Sequence, residues 1–197
     1  MAEKMPVIGI LALQGAVREH ARALEAAGAK TTSVKWPRDL DGLDGLVIPG
    51  GESTTIGKLM VKYGFIDAIK AFAGSGKPVY GTCAGLIAVA KRVTEGTKPW
   101  LELMDIEARR NAFGRQQESF EAEIEIPAIG KPFTGVFIRA PWIESVGSGV
   151  EVMAEYDGRT VMAREGNILV TAFHPELTDD ARVHEYFVAM VKKERPS

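Results

Sequence analysis

The 197-residue chain holds one cysteine. It lies in Gly81-Thr82-Cys83-Ala84-Gly85, between the apolar run Pro78 to Tyr80 and an apolar helix start at Leu86 to Ala90. A nucleophile flanked by small residues between strand and helix is the pattern of a nucleophile elbow. The turn forces the nucleophile into strained backbone, and bulky neighbours would clash, so Gly81 and Gly85 suit their places. It also sets the sulfur at a helix N-terminus, where the macrodipole and free N–H groups favour thiolate. A small buried core cysteine fits the same local pattern.

Two more stretches carry chemistry. His174-Pro175-Glu176 follows the apolar run Ile168 to Phe173. His174 can take a proton from a thiol and return it to a leaving amine, while Glu176 holds the imidazole in the right tautomer. Pro49-Gly50-Gly51-Glu52-Ser53 follows Leu46 to Ile48, and its glycines allow a close backbone approach to a ligand. The N–H groups of Gly51 and Ala84 are candidate oxyanion donors. Ser53 or Thr54 is the expected cap of the next helix. His20 and His184 fall within helices and read as helix-surface residues. No His/Cys/Asp/Glu cluster has metal-ligand spacing. The Pro49 loop lacks the ending of a phosphate loop, and Gly-x-Gly-x-x-Gly is absent, so no cofactor is expected. The cation-dense run Arg109 to Gln117 reads as a loop, either solvated or a lid whose arginine meets a carboxylate. Ile138-Arg139-Ala140-Pro141 places another arginine at a strand end.

The elements that must position these residues follow from periodicity. Val7 to Leu13 is a buried strand. Val17 to Ala27 is a helix with Val17, Ala21, Leu24 and Ala27 on one face and Gly28 as its stop. Strands are expected at Thr31 to Val34 and Leu46 to Ile48, and helices at Thr55 to Tyr63 and Phe65 to Ala73, before the elbow strand. This alternation implies a right-handed, mostly parallel α/β sheet. Beyond Lys91 the pattern is antiparallel. Phe120, Ala122, Ile124 and Ile126 alternate with glutamates, Val136 to Ile138 is strand-like, and Asp157-Gly158 turns a hairpin. A helix from Asp180 to Lys193 closes the chain. The later strands are expected to extend the same sheet, so one domain covers 1–197. If the strands before the three loops are parallel neighbours, all three loops meet at the carboxyl edge of the sheet, where α/β folds bind ligands.

Composition sets outer bounds. Hydrophobic residues make up 46% and charged residues 25%, as in soluble globular domains. A net charge of -2 offers no basic footprint for nucleic acid. One cysteine excludes an internal disulfide and suits the cytoplasm. The apolar N-terminal run lacks a cleavage site and reads as a strand rather than a signal peptide, and no stretch is long enough for a membrane.

Taken together, the elbow, the Pro49 to Ser53 loop and Phe173-His174-Pro175-Glu176 resemble the class I (triad) glutamine amidotransferases. Leu13 to His20, Arg110-Asn111-Ala112-Phe113-Gly114-Arg115-Gln116, Val136 to Pro141 and His174 to Thr178 are most similar to the glutaminase subunits of pyridoxal 5′-phosphate synthases. The resemblance runs along nearly the whole chain. It implies a flavodoxin-like α/β fold, with helices on both faces and added antiparallel strands. It implies hydrolysis of L-glutamine to glutamate and ammonia through a thioester on Cys83, with His174 and Glu176 as relay. The implied glutamine contacts are Gly51, Glu52, Ser53, Arg110, Ile138 and Arg139, with Gln14 beside the oxyanion hole. The implied partner is a (β/α)8-barrel synthase subunit in a large hetero-oligomer. Two rivals stand beside this reading: a triad glutaminase serving imidazole glycerol phosphate or purine synthesis, and a non-enzymatic, redox-sensing or chaperone-like α/β protein whose elbow cysteine is oxidised.

Overall fold

The computed structural model describes residues 3–113 and 118–196. Its first half alternates strand and helix: β1 (Val7–Leu11), α1 (Val17–Ala26), β2 (Lys30–Val34), β3 (Gly45–Ile48), α2 (Ser53–Lys62), α3 (Phe65–Gly74), β4 (Val79–Thr82) and α4 (Ala84–Val89). β1, β3 and β4 are continuous apolar runs buried on both sides, as a central parallel sheet demands. Gly28 ends the first helix in left-handed backbone (φ 95°), as its lack of a Cβ allows.

The remaining strands are β5 (Ala90–Val93), β6 (Met104–Arg109), β7 (Ser119–Ile124), β8 (Phe133–Ile138), β9 (Trp142–Val146), β10 (Glu151–Tyr156), β11 (Arg159–Glu165) and β12 (Ile168–Thr171), followed by α5 (Arg182–Glu194). The main sheet has ten strands, ordered β2-β1-β3-β4-β12-β11-β9-β6-β5, with β10 paired to β11. β12 returns to lie parallel to β4, register Ile168 to Val79 and Thr171 to Thr82. β3 lies parallel on the other side of β4. The three strands that precede the chemistry-bearing loops are therefore neighbours pointing one way, as expected.

Chain direction explains the helix layers. β1 to β2 steps one way along the sheet and β3 to β4 the other, so right-handed crossovers put α1 and α2–α3 on opposite faces. α5 packs with α1, and α4 packs with α2. Tyr80 and Thr82 point to the α1–α5 face, where Tyr80 meets Phe187 at 5.5 Å between ring centroids. Gly81, one residue between, points to the α4 face, where a Cβ would be driven into the carbonyl of Gly85.

The second half departs from expectation in two ways. β5, β6 and β9 extend the sheet where no strand is expected, and Arg109 ends β6 rather than opening a loop. β7 and β8 do not join the main sheet but form a separate two-stranded sheet. Its apolar face explains this. Phe120 stacks on Phe137 (4.7 Å, 7° between planes), and both pack with Phe113 and Tyr156, so the pair is held by an aromatic cluster rather than by ladder bonds to a neighbour. Gly114 to Gln117, in the cation-dense run, lie outside the described residues.

Candidate active site

Cys83 occupies the junction of β4 and α4 with φ 52° and ψ −105°, outside the regions open to ordinary side chains. Its N–H donates to the Thr171 carbonyl on β12 (2.8 Å), which pins the strained residue to the neighbouring strand. The turn has no room for larger flanks: a Cβ on Gly85 would be driven into the Ile48 carbonyl of β3. Ala84 opens α4, so its N–H has no acceptor within the helix.

His174 and Glu176 sit on the turn after β12. His174 Nδ1 and Glu176 Oε1 are 2.6 Å apart, and both residues are buried. The backbone N–H of His174 donates to Val136 of β8 (2.8 Å), so the small aromatic sheet steadies the turn. Glu176 holds Nδ1, which leaves Nε2 for Cys83, its neighbour across Gly50. Burial pushes the imidazole pKa down, but Cys83 and Glu176 on its two sides outweigh burial and raise it to about 10. A charged imidazolium beside a sulfur is the state from which thiolate attack starts. Gly50 lies against both groups: a Cβ there would sit 2.6 Å from His174 Cε1 and 3.3 Å from Cys83 Cβ.

The three loops line one cavity of about 440 Å³, with Cys83 and His174 in its wall. A cavity of that size suits a small polar metabolite. Gly51 (φ 148°) lies against Gln14: the Gln14 Oε1 accepts the Glu52 N–H at 2.6 Å and would be 2.7 Å from a Cβ on Gly51. Gln14 thus holds the loop that presents Gly51. The cap of α2 is Glu52, not Ser53 or Thr54. Its carboxylate accepts from the N–H groups of Thr54 (3.0 Å) and Thr55 (2.8 Å), satisfying orphan donors a hydroxyl would reach only singly. The Thr55 hydroxyl first, then those N–H groups and Arg110, outweigh burial and hold Glu52 at about 2.

Arg110 approaches Glu52 at 3.5 Å and lines the cavity. Ile138 and Arg139 enter it from the end of β8. The Ile138 carbonyl faces Cys83 Sγ at 3.8 Å, and Arg139, with φ 44°, keeps an exposed side chain 3.9 Å from Glu118. Gly51, Glu52, Ser53, Ala84, Arg110, Ile138 and Arg139 all line the cavity. Among the described residues no group of His, Cys, Asp or Glu has the geometry to hold a metal ion.

His20 and His184 depart from expectation. Both are fully buried, on the inner faces of α1 and α5, not on the helix surface. Helical spacing carries the signal. His20 falls between Val17 and Leu24 on the apolar stripe of α1, and His184 precedes Phe187 and Val188 at the same spacing on α5. Asn111 and Pro141, which stand in two of the quoted motifs but are not among the expected contacts, also line the cavity.

Residues 10–193 match the SNO glutamine amidotransferase family. A relative from Geobacillus kaustophilus (strain HTA426), "Pyridoxal 5'-phosphate synthase subunit PdxT", is 58% identical over 186 residues, 94% of this chain and 95% of its own. A protein of the same name from Niallia circulans is 54% identical over 188 residues, 95% of this chain and 99% of its own. A crystal structure of a glutamine amidotransferase superposes with a TM-score of 0.89 at 44% identity, covering 94% of this chain and 98% of that one. The structure of PurLQS from Thermotoga maritima shares the fold, with a TM-score of 0.66 at 18% identity.

Proposed function

The chain belongs to the SNO glutamine amidotransferase family, and from that premise we propose that it is the glutaminase subunit of a pyridoxal 5′-phosphate synthase. It hydrolyses L-glutamine to glutamate and ammonia and hands the ammonia to the synthase subunit. The observation that carries the chemistry is the convergence of Cys83 and the distant His174–Glu176 pair on one cavity.

The Cys83 thiolate attacks the side-chain amide carbon of glutamine, and the carbonyl electrons move onto oxygen. The N–H groups of Gly51 and Ala84 receive that oxyanion, and Gln14 keeps the Gly51 loop in place. Donors of this type lower the barrier by about 3–4 kcal/mol each. His174 gives its proton to the leaving nitrogen, ammonia departs and a thioester remains. Water, deprotonated by the now neutral His174, attacks the thioester, and the sulfur leaves as thiolate while His174 recovers its proton. Glu176 holds Nδ1 throughout. Gly51, Glu52, Ser53, Arg110, Ile138 and Arg139 contact the glutamine backbone and side chain, with Arg139 and Arg110 supplying charge for its α-carboxylate.

The chain acts as one domain, residues 1–197, in the cytoplasm. The synthase it serves is a (β/α)8 barrel, and the two form a large hetero-oligomer. Among the described residues no helix is long and apolar enough to cross a membrane. The deciding experiment mixes the chain with candidate synthase subunits, glutamine, ribose 5-phosphate and glyceraldehyde 3-phosphate, and follows the pyridoxal phosphate chromophore. Appearance of the chromophore, and covalent labelling of Cys83 by a glutamine-like diazo ketone, are expected. Wild-type turnover by Cys83→Ala would reject the assignment.

A further inference from the structure

The chain has three histidines, and all three lie in one buried row. His174 bonds Glu176 through Oε1. The other carboxylate oxygen, Glu176 Oε2, is buried without a hydrogen bond and lies 3.6 Å from His20 Nε2. The same nitrogen is 3.2 Å from the hydroxyl of Thr82, the residue before the nucleophile. His20 Nδ1 in turn meets His184 Nε2 at 3.0 Å, and His184 Nδ1 is buried with no partner.

That orphan nitrogen decides the tautomers. Only one of the two facing nitrogens can carry the shared proton when both rings are neutral. If His20 donates, a neutral His184 must carry its own proton on Nδ1, leaving a buried N–H without an acceptor. His20 Nε2 would then turn a lone pair toward the Glu176 carboxylate. Both consequences are costly. If His184 donates, its Nδ1 is a bare acceptor, and the neutral His20 carries its proton on Nε2, facing Thr82 and Glu176. Thr82 suits either arrangement, since its hydroxyl can donate or accept; the orphan Nδ1 and the Glu176 carboxylate both favour the second. Burial also lowers the proton affinity of both rings, His184 to about 3, which keeps the pair neutral.

We propose that His20 is a positioning residue for the nucleophile and its relay: locked as the Nε2–H tautomer by His184, it directs that N–H at Thr82 and at the free oxygen of Glu176. At 3.6 Å the Glu176 contact is ion–dipole rather than a hydrogen bond. In a dry interior such a dipole still stabilises the carboxylate, and contacts of this kind tighten when substrate binds. One imidazole thus ties the β4 end that carries Cys83 to the turn that carries His174. It rests on α1, outside both loops. The inference depends on the glutaminase reading for its consequence in catalysis, but the tautomer it requires does not.

The test uses the full chain in its active complex with the synthase subunit, and the chain itself for spectroscopy. Long-range proton–nitrogen NMR of the three imidazole rings is expected to show Nε2–H tautomers for His20 and His184. His20→Leu is expected to lower kcat by about tenfold to a hundredfold, the loss of one donor to a charged group, with KM changed little. His20→Gln, whose amide nitrogen stands near the place of Nε2, is expected to recover most of that loss. An Nδ1–H tautomer for His20, or equal losses in the Leu and Gln variants, overturns the proposal. Should His20→Leu fail to fold, the wild-type ring spectra still decide it. A wild-type complex with no glutaminase activity would instead sink the function, so the two failures are told apart.

Discussion

Removing the sulfur from Cys83 would remove the proposed nucleophile and little packing. Cys83→Ala is therefore expected to lose glutaminase activity by at least about 10⁴-fold with an unchanged circular dichroism spectrum. His174→Asn is expected to fall nearly as far. Glu176→Gln should retain more, by roughly a hundredfold over Cys83→Ala, because the role proposed for Glu176 is to orient His174 and not to react. The elbow glycines behave differently. Gly85→Ala meets the Ile48 carbonyl, and is expected to destabilise the fold by about 1–3 kcal/mol in a denaturant titration, besides displacing Cys83. At this scale the meeting of Cys83, His174 and Glu176 was legible because they stand near glycine and proline at strand ends, positions where side-chain type and backbone demand coincide. His20 and His184 were not legible from loop position, since they contribute through the packed faces of α1 and α5. The capping role of Glu52 was likewise hidden, because a carboxylate that reaches two N–H groups depends on where the Pro49 loop stops.

The elements that aim the site are β3, β4 and β12, and they were legible as apolar runs because burial on both faces leaves no other pattern. Their adjacency follows from the crossover rule alone as far as β4. β12 reaches β4 only through the antiparallel excursion that precedes it, and no local pattern encodes that return. β6 alternates in plain sight through Met104, Ile106 and Ala108. β5 and β9 are short and mixed in polarity, so pairing with β6 defines them. The β7–β8 pair holds Ile138 and Arg139 at the cavity through its aromatic face. Phe137→Ala is expected to cost about 3–5 kcal/mol in stability. It should also raise KM for glutamine in the surviving fold, read by thermal denaturation and steady-state kinetics. Buried neutral histidines on α1 and α5 set an acid limit. His184 binds its proton near pH 3 when folded and near 6.5 when unfolded, so the unfolded state takes up more protons between those values. Stability is expected to fall as pH drops from about 6.5 toward 3, with His20 adding to the trend. A Tm that rises or stays level from pH 7 to pH 5 would contradict it.

Across the whole molecule, the cavity that holds Cys83 and His174 opens to the surface, and ammonia released from it to water is lost as ammonium. The expectation is that glutamine turnover is slow for the chain alone and rises when the synthase subunit docks. Equal rates with and without that subunit would count against coupled transfer. The proposed nucleophile is also the chain's sole thiol, 7% exposed at the wall of an open cavity. A thiol titration of the folded protein therefore counts competent nucleophiles and nothing else. As a stored sample oxidises, residual activity plotted against titratable thiol should fall along one straight line through the origin.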